Sequence, residues 1–159
     1  MLKAKDIMST EVISLDPEDS IAVAVQRLLD HQVSSLPVID RAGRLVGVVS
    51  ELDFLDLVWD FDRTNSEVYQ YMTRQVHSVE EDDDLLSVVE RFRLFGIRRL
   101  PVVRGNRVVG IIDRHDLLAR LSATETLGLG RQPSGRSQGG ELAIAGTAVS
   151  SASEAVAAA

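Results

Sequence analysis

Cysteine is absent from the 159 residues, which removes disulfides and thiolate metal sites from consideration. Aromatic residues are scarce, at 4%, so a core must be built from Val, Leu and Ile. Positive charge is also in short supply: 17 Lys and Arg face 24 Asp and Glu, a net charge of −7. That balance argues against a nucleic-acid or anionic-membrane binder, since both need excess basic charge. No run reaches about 18 apolar residues, and nothing resembles a signal peptide, so the expectation is a cytoplasmic protein that does not span a membrane. His31, His77 and His115 have no metal-ligand spacing. A Ser-His-Asp order, a P-loop, a dinucleotide fingerprint and an HExxH segment are all missing, so neither an enzyme nor a metal site is expected.

What is present is a repeat. Residues 8–55 recur at 72–118, with Met8, Val12, Ser14, Leu36-Pro37-Val38, Gly47 and Asp53 returning as Met72, Val76, Ser78, Leu100-Pro101-Val102, Gly110 and Asp116. The offset is 64 up to Asp40/Arg104 and 63 beyond the next turn, and 14 of 46 aligned pairs are identical. Unrelated segments would share about one pair in fifteen, so the chain is an internal duplication.

Each copy reads in one order. An extended segment (Val12–Leu15, Val76–Val79) precedes a helix whose apolar positions are Ile21, Val25, Leu28 and Leu29, or Leu85, Val89 and Phe92. Asp19/Ser20 and Asp83/Asp84 are candidate N-caps. Leu36–Ile39 and Leu45–Val49 flank a Gly-containing turn and predict a hairpin, as do their counterparts around Gly105-Asn106. A second helix is expected after Ser50 and after Asp113. The fold class is therefore α/β (α+β-like), two β-α-β-β-α repeats. The expected division is repeat 1 at 1–60, a polar linker at 61–67, repeat 2 at 68–121 and a Gly/Ala/Ser-rich tail at 122–159. Six of the 11 Gly fall in that tail, which is expected to be disordered.

Leu36-Pro37-Val38-Ile39-Asp40 followed by Gly47-Val48-Val49-Ser50-Glu51-Leu52-Asp53, and the matching run from Leu100 to Asp116, resemble a tandem CBS-domain pair over residues 3–121. The resemblance implies a pseudo-twofold module, often a homodimer, that senses an adenine nucleotide (ATP, ADP or AMP) or S-adenosylmethionine in a central cleft. It implies no obligatory cofactor. It also implies ribose-binding roles for Asp53 and Asp116 and a phosphate-side hydroxyl at Ser50. Gly47 and Gly110 would let the backbone approach the ligand. Ser50-x-x-Asp53 equally fits a capping box, and Asp113 is a good N-cap, so capping and binding stand side by side.

The copies differ where the resemblance places the ligand. Arg98, Arg99 and His115 occupy positions where repeat 1 has Ser34, Ser35 and Leu52. A basic pair in that place resembles the phosphate-binding arginines of the regulatory subunit of the AMP-activated protein kinase. Asp113 stands where the family pattern has Ser or Thr, and it opposes a phosphate. On this reading a phosphate-bearing nucleotide prefers a pocket built from repeat 2, with Arg98, Arg99, Gly110, His115 and Asp116. The pocket of repeat 1, with Ser34, Ser35, Gly47, Ser50 and Asp53, is empty or takes a less charged adenosyl ligand. The alternative for Arg98-Arg99 is a surface role or partnership with Asp113.

The run from Glu80 to Asp84 invites either Mg²⁺ or, more simply, a favourable helix N-terminus. Trp59 and Phe61 fit either burial within the monomer or a homodimer surface, and the homodimer surface is the preferred expectation. The leading expectation is a regulatory module that senses cellular energy state and signals to a separate effector in trans. A ligand-free dimerisation and interaction scaffold is the alternative.

Overall fold

Leu45–Ser50 follows a turn in which Gly43 sits at φ +80°, a left-handed conformation that glycine adopts without Cβ strain. In this computed structural model, which describes residues 1–55 and 61–123, that turn closes a hairpin of β1 (Ser35–Ile39) and β2 (Leu45–Ser50). The second hairpin pairs β4 (Arg99–Arg104) with β5 (Arg107–Asp113), and the short β3 (Val79–Glu80) runs parallel to β4 on its outer edge. The registers agree copy for copy. Ser35 faces Ser50 as Arg99 faces Asp113, and both hairpins shift register after the valine that faces Gly47 or Gly110.

The helices are α1 (Ala4–Ile7), α2 (Ile21–Asp30), α3 (Glu51–Leu55), α4 (Leu85–Phe95) and α5 (Arg114–Ala123). Ser20 Oγ accepts from the Val23 amide at 3.3 Å, and Asp84 Oδ1 accepts from Ser87 at 2.8 Å, so the second residue of each expected pair is the cap. On α2 the buried stripe is Ile21, Ala24 and Leu28. Leu29 points outward, contrary to expectation, because one residue further along a helix turns the side chain by about 100°. On α4 the buried pair is Val88 and Phe92, with Leu85 and Val89 packed beside them. The extended segment of repeat 1 pairs only through Leu15, which bridges Val38 in parallel.

The two cores exchange their opening segments. Ala4 and Ile7 belong to the core of Val79, Val88, Leu100, Val102 and Ile112 in the second half. Val68 lies in the core of Leu15, Leu36, Val38 and Val49 in the first, with Tyr71 and Met72 packed against it. Backbone bonds seal the exchange. Ser9 and Ile111 donate to each other's carbonyls at 2.8 and 2.9 Å, and Val48 and Thr73 do the same at 3.0 and 2.9 Å. The hairpin turns also meet, with Leu45 donating to Asn106 and Val108 to Gly43. Each packing unit thus begins in the other copy, and the two halves are interlocked.

Within residues 61–67, Phe61–Asn65 forms a short 3-10 helix and Ser20 bridges Glu67. Helix α5 continues two residues past Leu121. The tail from 124 onward and Trp59 lie outside the described residues, as does the side chain of Phe61.

Candidate functional site

The ends of β2 and β4 face each other across the seam between the halves. They enclose a cleft of about 630 Å³ lined by Ser34, Ser35, Ser50, Glu51 and Leu52 from one half and by His77, Phe95, Arg98 and Arg99 from the other. A second cleft, of about 360 Å³, holds Gln32, Ser34, Glu51, Arg98, Asp113, Arg114 and His115. Applying the repeat offset converts one wall into the other: Ser34 becomes Arg98, Ser50 becomes Asp113, Glu51 becomes Arg114 and Leu52 becomes His115. The clefts are therefore a repeat-related pair, and each is built across the halves.

This placement corrects the division of residues into one pocket per repeat. Arg98 and Arg99 line the same cleft as Ser50, Ser34 and Ser35, and His115 lies in the other, where it meets Arg98 but not Arg99. The cause is topological: the exchanged segments turn the halves toward each other, so the start of one hairpin meets the end of the other. The carboxylate of Asp113 and the phosphate-side hydroxyl of Ser50 consequently fall in different clefts.

Gly47 and Gly110 border neither cleft. A Cβ at Gly47 would come within 2.8 Å of Met72 Cγ, and one at Gly110 within 2.7 Å of Met8 Cγ and 2.9 Å of the Ser9 carbonyl. The close approach these glycines permit is to the methionine of the exchanged segment.

Asp53 and Asp116 likewise border neither cleft. Asp53 Oδ2 accepts from the Ser50 amide at 2.6 Å and from Ser50 Oγ at 3.1 Å, so it caps α3 and orients the hydroxyl. Asp113 Oδ1 accepts from the His115 amide at 2.8 Å, which makes it the N-terminal cap of α5. Asp116 is exposed.

Arg99 is the most enclosed charge at the site, its side chain 13% exposed. Nε lies 3.4 Å from Asp113 Oδ2, and Nη1 donates to the Ser35 carbonyl at 3.4 Å. Nε is buried and makes no hydrogen bond, so its contact with Asp113 is attraction between charges without bond geometry. A buried N–H left unpaired costs about 1–3 kcal/mol. The Arg98 side chain has no partner among the described residues, whereas its backbone carbonyl accepts from Arg114.

Sequence reasoning missed the wall formed by His77 and Phe95, whose rings stack at 3.5 Å and 13°. A signal was there: Phe95 falls off the apolar stripe of α4, directly before the left-handed cap Gly96.

The acidic run is engaged in contacts. Glu81 pairs with Arg104, Asp82 with Lys3 and Lys5 at 2.9 and 2.8 Å, Asp83 accepts from Glu80 N, and Glu80 accepts from Gly105 N. The lysine ammonium groups hold Asp82 down to about 2. Among the described residues no group of three or more His, Asp or Glu is arranged to hold a metal, and no helix is long and apolar enough to cross a membrane.

Fold and clefts together define a duplicated α/β module with a pair of repeat-related clefts between its copies. Comparison with known proteins names it: the CBS-domain model matches residues 4–60 and 68–123, and the chain belongs to that family as a tandem CBS pair. CBSX2 of Arabidopsis thaliana, solved in complex with AMP, superposes with a TM-score of 0.69 at 27% identity, covering 76% of this chain and 96% of that one. The CBS domain pair of protein MJ0100, solved with 5-methylthioadenosine and S-adenosyl-L-methionine, gives a TM-score of 0.64 at 31% identity, over 77% and 96% of the two chains. A 17.7 kDa protein of Acidianus ambivalens is 32% identical over 81% of this chain and 79% of its own length. The inosine-5'-monophosphate dehydrogenase of Methanocaldococcus jannaschii is 30% identical over 74% of this chain, but the match spans only 23% of that enzyme.

Proposed function

We propose that this CBS pair is a regulatory module, not an enzyme, and that it binds an adenine nucleotide in the larger cleft with the phosphate on Arg98, Arg99 and Ser50. One observation carries the reading: Arg99, whose Nε is buried without a hydrogen bond, lines that cleft together with an unpartnered Arg98 and the Ser50 hydroxyl. A phosphate in the cleft accepts charge-assisted bonds from the loosely held guanidinium of Arg99 and from Arg98. Asp53 orients the Ser50 hydroxyl through Oδ2 and so acts on the ligand only through Ser50. The AMP and S-adenosyl-L-methionine complexes of related CBS pairs support the ligand class. On this reading phosphate preference moves from a pocket of repeat 2 to the larger of two clefts that both join the repeats.

The proposal extends to a cytoplasmic homodimer that reports energy state to an effector in trans. The helix faces carry Leu29, Leu86, Leu94 and Leu118 exposed, which supports association and also the competing reading of a ligand-free scaffold.

Thermal shift and calorimetry with AMP, ADP, ATP and S-adenosylmethionine decide between them. A ligand at 100 times its dissociation constant stabilises by about 2.7 kcal/mol. Arg99→Ala is expected to weaken AMP at least tenfold, since bonds to charged groups contribute about 1.5–3 kcal/mol. Undiminished binding by that variant defeats the site assignment, and no shift with any ligand favours the scaffold.

A further inference from the structure

We propose that Arg99, which lines the large cleft, is the counter-charge of Asp113 in the small cleft, so that an anion held in the large cleft closes the small cleft to a second anion. The inference rests on the nucleotide reading above and adds a rule of occupancy to it.

Arg99 and Asp113 are cross-strand partners on β4 and β5, and each faces a different cleft. Arg99 is held loosely on both sides. Its contacts to Asp113 and to the Ser35 carbonyl are each 3.4 Å, at the outer limit of hydrogen-bond length. Phosphate in the large cleft, which Arg99 lines, offers the guanidinium shorter, charge-assisted bonds and draws it from Asp113.

Asp113 cannot follow, because its other oxygen caps α5 through the His115 amide at 2.8 Å. Its carboxylate stays in the small cleft with its counter-charge withdrawn. There it stands beside Glu51 and opposes the attraction of Arg98, Arg114 and His115 for an anion. By linkage the effect is mutual: an anion in the small cleft, which needs Asp113 neutralised by Arg99, weakens anion binding in the large cleft by the same factor. The first half lacks this device, since the equivalent cross-strand pair is Ser35 and Ser50.

Calorimetric titration of AMP into the full chain tests the rule. Wild type is expected to take about one AMP per chain. Asp113→Ser restores the residue of the first half, keeps a good N-cap and is expected to take about two. Asp113→Asn, which also preserves the cap, is expected to do the same and guards against a folding defect in the first variant. If wild type fills both clefts with equal affinity, or neither variant raises the stoichiometry, the coupling is refuted while the nucleotide site stands. If wild type and both variants all fail to bind AMP, the nucleotide reading is lost and the coupling with it.

Discussion

At the cross-strand position nearest the clefts, the first half carries Ser35 opposite Ser50 and the second carries Arg99 opposite Asp113. One residue inward the difference vanishes: Leu36 and Leu100 are both fully buried, as are Val38 and Val102. Interior positions are held to one shape by packing. The strand ends open on a cleft where water or ligand satisfies either chemistry, so there the copies have diverged in charge while keeping one backbone.

The comparison breaks most severely in the cores. Leu36→Ala and Leu100→Ala are each expected to cost about 2–5 kcal/mol. Because the cores interlock through Ala4, Ile7 and Val68, each should lower a single common melting transition in calorimetry. Two separable transitions would show that the halves fold independently.

A finer contrast lies at the paired glycines. Gly47→Ala presses on the movable Met72 side chain, whereas Gly110→Ala also presses on the Ser9 carbonyl, which is fixed by its bond to Ile111. Overpacking costs about 1–3 kcal/mol, and Gly110→Ala is expected to be the worse of the two in denaturant titration.

The turn after the first long helix offers a gain. Gln32 is left-handed at φ +52°, and its counterpart Gly96 is at +60°. A non-glycine residue there carries about 1–2 kcal/mol of strain, so Gln32→Gly should raise the melting temperature and Gly96→Gln lower it.

The mildest test is acid. The folded value of Asp82 is about 2, below its ordinary 3.8, so its contribution is complete above about pH 4 and is lost as pH falls toward the folded value. Hydrogen bonds from Arg104 and from the Ser87 amide also lower Glu81 and Asp84, so three such groups lie in one short run of the second half. Acid should therefore loosen α1 and the second half first, seen as faster amide exchange at Lys5 than at its counterpart Tyr69. Lys3→Ala with Lys5→Ala should remove most of that difference.

Much of the fold was legible in the residues. Two apolar runs across a glycine turn announced each hairpin, and Ser20 and Asp84 announced the helix starts, because these signals are local. The burial of Ala24 in place of Leu29 was less legible, since α2 meets its core at an angle that only packing sets. At the site, the residue types were readable but their grouping was not. Ser50 and Arg99 stand 49 positions apart and meet only because the opening segments cross over. The glycines were recognised as points of close approach, yet Met8 and Met72 occupy the space from a distance no local pattern reports.

By itself the sequence determined the duplication, the order of elements in each copy and the unequal charges of the two copies, because these follow from local propensity and residue identity. Tertiary structure decided which charges share a cleft. The exchange of α1 and of the Val68–Met72 segment is driven by burial of apolar side chains in the opposite core. That burial turns the strand ends of one half onto those of the other, placing Arg99 in one cleft with Ser50.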